Sequence, residues 1–181
     1  MPRIKPVSPE SADANTAKTL NAVKTKLGML PNLFTTFAHS PAALNGYLSL
    51  TEALNNGILT GKQKEMIAIA IAQENECGYC LSAHAAIGES QGLTDDAIKL
   101  AQEGGAIAPS DDVIVKFALE VLRSRGDVSD ADIAEIREVC DDDGIIIEIV
   151  TNVVLNIMTN YVNRLADTDI DFPIIGLTAV A

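Results

Sequence analysis

Apolar positions recur every three or four residues along most of the chain, the period of a helix with one buried face. Residues 1–9 break that rule. Three prolines fall among them, and an extended arm is expected. Leu20, Val23 and Leu27 then share the apolar side of a first helix, from about Glu10 to Leu27, closed by Gly28. Pro31 opens a short helical stretch, Asn32–Ala38. Ser40-Pro41 pairs an N-cap with proline at the first helical position. The helix it starts is expected to reach about Asn55 and to stop at Gly57.

Thr60-x-x-Gln63 has the pattern of a capping box. It opens a segment of Met, Ile and Ala, about Lys62–Asn75, which is apolar on most sides and so expected to be buried. A helix from about Tyr79 to Ser90 follows at once and ends at Gly92. Thr94 caps a short helix to about Glu103, and residues 104–109 (GGAIAP) read as a loop. Ser110-Asp111-Asp112 caps an amphipathic helix to about Arg125, with Val113, Ile114, Phe117, Val121 and Leu122 inward. Ser129 opens another to about Cys140, and a long last helix runs from about Gly144 to Leu165. Its Ile145–Ile149 run is rich in β-branched residues, but its length and the lack of a partner strand decide for helix. The tail, 167–181, reads as irregular.

The pattern predicts an all-α fold, one compact helical domain over residues 1–181. A weak internal similarity sits on top of it. The turn 57–60 (GILT) resembles 126–129 (GDVS) at an offset of 69 residues, as two degenerate helical repeats would. Glu65, Cys77, Cys80 and His84 then correspond to Ala134, Ile146, Ile149 and Val153, so only the first copy would carry chemistry.

Composition narrows the class. The chain has 181 residues, 48% apolar and 21% charged, enough for a folded core. Only 4% is aromatic and Trp is absent, so Ala, Ile, Leu and Val must build that core. A net charge of −12 opposes binding to nucleic acid or to an anionic membrane surface. The longest apolar runs, Met66–Ala72 and Ile145–Val150, are short of a membrane span. The N-terminus lacks the apolar stretch of a secretory signal, and a cytoplasmic protein is the expectation. Three cysteines are too few for a disulfide framework, which leaves a C-x-x-C pair for redox or metal chemistry.

That pair is Cys77-Gly78-Tyr79-Cys80, with Glu65 before it and His84 after it. If a helix begins near Cys77, then Cys77, Cys80 and His84 project from one side. A helix N-terminus favours thiolate, and a His one turn on from Cys80 can take its proton. Cys80 is therefore the candidate nucleophile, and Cys77 is placed to resolve an oxidised Cys80 as a disulfide. Glu65, a carboxylate on an apolar helix, needs a partner. A hydrogen bond to His84, direct or through water, would complete a proton relay.

Other readings of the same residues remain. Cys77, Cys80 and His84 with Glu65 could serve as zinc ligands. The cysteines could be small buried hydrophobes, and Glu65 a solvated first-turn acid. Tyr79 either lines the pocket or packs with its hydroxyl in water. His39 reads as a cation at a helix C-terminus, and Cys140, beside Ile133 and Ile136, as core.

The spacing E-x11-C-x2-C-x3-H resembles the carboxymuconolactone decarboxylase / alkylhydroperoxidase AhpD-like superfamily, and more closely its peroxidase-related branch. Leu30-Pro31-Asn32-Leu33-Phe34, Ser40-Pro41, Asn160-Tyr161-Val162-Asn163 and Asp171-Phe172-Pro173 look like that branch too. The resemblance implies an all-helical fold assembled as trimers or hexamers. It implies peroxidase activity in which Cys80 forms the sulfenic acid, Cys77 is proton donor and resolving thiol, and Glu65 and His84 are relay residues. The best-known members have a His where this chain has Tyr79. The decarboxylase members lack the cysteine pair.

The reading is thus a thiol-dependent hydroperoxidase with no metal or organic cofactor. Its partners are a peroxide substrate and an external dithiol or thiol-protein reductant, in a homo-oligomer that binds neither nucleic acid nor membrane. The alternatives are a protein disulfide reductase and a redox sensor without turnover.

Overall fold

The computed structural model describes residues 1–178; the last three residues of the expected tail lie outside the described residues. The described residues form nine α-helices and no strand, so the fold is all-α. In chain order these are α1 (Ala14–Leu27), α2 (Asn32–Phe37), α3 (Pro41–Asn55), α4 (Gly61–Glu74), α5 (Gly78–Ser90), α6 (Asp95–Gln102), α7 (Pro109–Ser124), α8 (Asp130–Val139) and α9 (Asp143–Ala166).

Two starts differ from expectation. α1 begins at Ala14, not near Glu10, because the Asp13 carboxylate accepts from the Asn15 and Thr16 N–H groups. A separate turn precedes it, closed by Ser11 N donating to the Ser8 carbonyl at 3.0 Å. Leu27, expected inward, is half exposed, so Leu20 and Val23 carry the buried side of α1. α7 begins at Pro109, so Ser110 lies inside its first turn and does not cap it. Thr60 and Ser129 do head capping boxes, with Gln63 and Asp132 as their partners.

α4 is buried along Met66–Gln73 and touches α5, α6, α7 and α9. A helix apolar on nearly every side has to lie in the middle. One side, with Ile69, Ala70 and Ala72, joins a cluster that holds Phe34, Phe37, Cys77, Cys80 and Leu81. The other, with Ile67 and Ile71, joins Ile114, Phe117, Ile136 and Ile149.

α9 corrects the expectation that no segment is long enough for a membrane. By length and composition this 24-residue helix is long and apolar enough to cross one. It is built as a core helix. It touches α2, α3, α4, α5 and α7, and it buries Asn152, Asn156, Asn160 and Asn163. On its outer side Ile147, Val154, Tyr161 and Leu165 are exposed.

The segments before α1 and after α9 both bind the bundle within the described residues. Arg3 N donates to the Ala166 carbonyl at 2.7 Å and Val7 N to that of Thr35 at 3.0 Å. His39 Nε2, 2.8 Å from the Lys5 carbonyl, clamps the arm. The irregular C-terminal segment crosses α5: Asn32 N donates to Asp171 Oδ2 at 2.7 Å, and Ile175 N to Ser82 Oγ at 3.1 Å. Beyond it, Thr178 N donates to Gln73 Oε1 and the Thr178 carbonyl accepts from Gln73 Nε2.

Candidate active site

The turn from α4 to α5 fixes the first cysteine. Glu76 takes the left-handed conformation (φ 52°). Its N–H bonds the Gln73 carbonyl at 3.0 Å, while Cys77 N–H reaches back to Ala72 at 2.8 Å. This is a Schellman ending, with Glu76 where glycine is usual. Cys77 emerges from it as the N-cap of α5, and its Sγ accepts from Cys80 N–H at 3.2 Å. The two sulfurs are joined as a disulfide, with Cα atoms 5.3 Å apart. Both cysteines are buried, at 1% and 3% exposure, at the positive end of the α5 dipole.

One turn further along α5, His84 meets Glu65 of α4. His84 Nδ1 lies 2.8 Å from Glu65 Oε2, and the side chains keep 24% and 13% of their exposure. An imidazole bonded to a carboxylate at Nδ1 carries its proton there in the neutral form, which leaves Nε2 free as a base. At Gly88, one turn further on, a Cβ would stand 2.8 Å from Leu93 Cδ1, so Leu93 packs into the space that the glycine leaves.

Two side chains near the site were not singled out by sequence reasoning. Asn163 of α9 donates Nδ2–H to Cys80 Sγ at 3.4 Å. A separation of 83 residues hides this contact, and the Asn160–Asn163 motif marked resemblance without a role. Tyr47 of α3 stacks on Phe37 at 5.3 Å and tilts against Phe34 at 5.7 Å. Burial and the Glu65 charge push its hydroxyl up to about 12, so it stays protonated beside the Glu65–His84 pair.

Tyr79 is buried, and its hydroxyl points into the protein, not into water. It accepts from Leu33 N at 3.1 Å, and its ring meets Phe172 edge-on at 5.8 Å. Burial pushes its ionisation well up, and the nearby Asp171 carboxylate adds to the effect against the Leu33 bond. Tyr79 thereby ties the Leu30–Phe34 and Asp171–Pro173 segments to the cysteine turn. Cys140 is a buried free thiol in the second cluster, its ionisation raised by burial. Among the described residues, no group of three or more His, Cys, Asp or Glu side chains is placed to hold a metal ion. Cavities of about 300 and 210 Å³ lie elsewhere, along α7 and α8 and beside α6.

The carboxymuconolactone decarboxylase family model matches residues 41–124, which span α3 to α7 and contain Glu65, Cys77, Cys80 and His84. An alkylhydroperoxidase AhpD-core, peroxidase-related protein of Ralstonia eutropha superposes with a TM-score of 0.83 at 26% identity, over 94% of this chain and 92% of its own. The chain is similar to the AhpD-like superfamily.

The proteins it is similar to differ in what they do. An alkyl hydroperoxide reductase of Mycobacterium tuberculosis is 30% identical over 95 residues, 52% of this chain but only 28% of that relative. The debrominase Bmp8 shares the fold, with a TM-score of 0.77 at 18% identity over 93% of this chain and 91% of its own. The similarity is thus to peroxidases and related enzymes, and what this chain does has to be argued from the site.

Proposed function

We propose that this AhpD-like protein is a thiol-dependent hydroperoxidase of the peroxidase-related branch. The observation that carries the reading is the pairing of two cysteines in disulfide contact on α5 with a His84–Glu65 hydrogen bond of 2.8 Å one turn away. After an external dithiol has reduced the disulfide, His84, oriented by Glu65, accepts the Cys80 proton. The Cys80 thiolate attacks the distal peroxide oxygen. The O–O bond breaks, Cys80 becomes sulfenic acid, and the alkoxide or hydroxide leaves and is protonated by the relay. The Cys77 thiol then displaces hydroxide from the Cys80 sulfur, so water leaves and the disulfide returns. Neither metal nor organic cofactor enters this cycle.

Burial of both sulfurs favours a small peroxide over a bulky protein disulfide as the oxidant. The exposed apolar stripe of α9 is in keeping with a homo-oligomer, a trimer or hexamer, and the reducing cytoplasm would supply the dithiol. Cys80→Ser should abolish peroxide turnover, while Cys77→Ser should allow one oxidation and then stall at sulfenic acid, read by mass spectrometry after dimedone trapping. Undiminished turnover in Cys80→Ser would overturn the assignment.

A further inference from the structure

Both cysteines lie at the head of α5, but the capping hydrogen bond there goes to Cys77 and not to Cys80. Cys77 Sγ occupies the N-cap position and already accepts the Cys80 N–H at 3.2 Å. A thiolate on Cys80 needs a donor of its own, because a buried anion without one is costly. The donor that reaches its sulfur comes from across the bundle. Asn163, only 3% exposed, points Nδ2–H at Cys80 Sγ from 3.4 Å. The other half of the same amide, Oδ1, is buried without a hydrogen-bond partner among the described residues. Such an orphan acceptor is costly and calls for an explanation.

We propose that Asn163 is a catalytic residue: its N–H holds the Cys80 thiolate, and its carbonyl accepts the O–H of the incoming hydroperoxide. This rests on the hydroperoxidase reading and deepens it. In the reduced protein the sulfur is an anion, so the N–H bond already present to the disulfide sulfur becomes charge-assisted and shorter. A hydroperoxide carries one O–H and no other donor, and Oδ1 is the acceptor left open beside the nucleophile. Bound there, its O–O bond lies against Sγ. As the S–O bond forms and the O–O bond breaks, the oxygen kept by Cys80 retains its hydrogen and its bond to Oδ1. The leaving alkoxide takes the proton that His84 holds. Asn163 neither gains nor loses a proton. It also answers how Cys80, rather than the helix-capping Cys77, becomes the stable anion.

The test uses the full chain with Cys77→Ser, whose hydroxyl keeps the cap, and reads Cys80 by iodoacetamide alkylation against pH. Adding Asn163→Ala should move the midpoint up by about one unit, slowing alkylation near neutrality about tenfold. Asn163→Asp keeps the shape but sets a carboxylate against the sulfur, so its midpoint should rise further. A merely structural role predicts the opposite order, with Asp nearer to Asn than Ala is. Unchanged midpoints in both variants, each with a retained thermal unfolding transition, would overturn the thiolate role. Loss of that transition in Asn163→Asp leaves Asn163→Ala to decide.

Single-turnover oxidation by hydrogen peroxide tests the carbonyl. In Asn163→Ala it should fall about tenfold more than alkylation does. An equal fall in both would overturn the substrate contact. Alkylation needs no peroxide, so a protein that consumes none would refute the hydroperoxidase reading without deciding the thiolate role of Asn163.

Discussion

At the scale of the residue, the site rests on a division of labour between two sulfurs that look alike in sequence. Cys77 is placed by the backbone, through the α4–α5 turn and its cap to Cys80 N–H. Cys80 lies in the first turn of α5, and its sulfur takes a donor from another element, Asn163 of α9. The four residues of the motif were legible because C-x-x-C, a His at helical spacing and an acid on an apolar helix each break the composition around them. Asn163 was not singled out, although Asn152, Asn156, Asn160 and Asn163 recur at helical spacing along α9; that polar stripe marks a buried face but does not say that sulfur lies opposite it. Tyr79 was legible only as an aromatic near the cysteines; its dry hydroxyl depends on the Leu33 backbone, 46 residues away. Glu65→Gln keeps an acceptor for His84 Nδ1 but removes the charge that supports a protonated imidazole. Steady-state turnover with dithiol and peroxide should fall about ten- to hundredfold with the fold intact. Equal turnover would remove Glu65 from the relay.

At the scale of the element, local signals set most helix starts. Thr60, Thr94 and Ser129 accept where a capping residue should. The misread starts come from competition between nearby signals. Asp13 captures the first turn from Glu10, and Pro109 takes the N1 position one residue before the acidic cluster that was read as a cap. Between elements, Arg123 of α7 grips Glu74 at the end of α4 with bonds of 2.9 and 2.7 Å. That hydrogen-bonded guanidinium holds the Glu74 carboxyl below its ordinary 4.5. The folded state therefore gains stability above that value and loses it as pH falls through the depressed one. Arg123→Ala should cost about 0.5–1 kcal/mol in urea unfolding at neutral pH. The gap from the native protein should narrow below pH 4.5. A gap that persists undiminished to strongly acid pH would mean that Arg123 acts through packing instead.

At the scale of the whole molecule, α4 joins two apolar clusters, and only one of them contains the chemistry. The all-α class and the central place of α4 could be read from its unbroken apolar content. The path of the C-terminal segment could not, since irregular backbone carries no period. That segment is held by polar anchors: Gln73 bonds both Thr178 and Gln102, and Gln102 also donates to the Gly176 carbonyl at 2.9 Å. Gln73→Leu should strip the strap from α4 and leave Gln102 with one partner fewer, at about 1–3 kcal/mol. Limited proteolysis should then cut within residues 167–178 before the helices. A strap as resistant as in the native protein would show that Asp171 and Ser82 suffice to hold it.

The central claim is that Cys80 turns over peroxide without a metal. Its most direct test is peroxide consumption with excess dithiol and a chelator, comparing the native protein with Cys80→Ser. The account predicts sustained consumption by the native protein and none above background by the variant. Equal consumption by both, or loss of the native activity to the chelator, would contradict it.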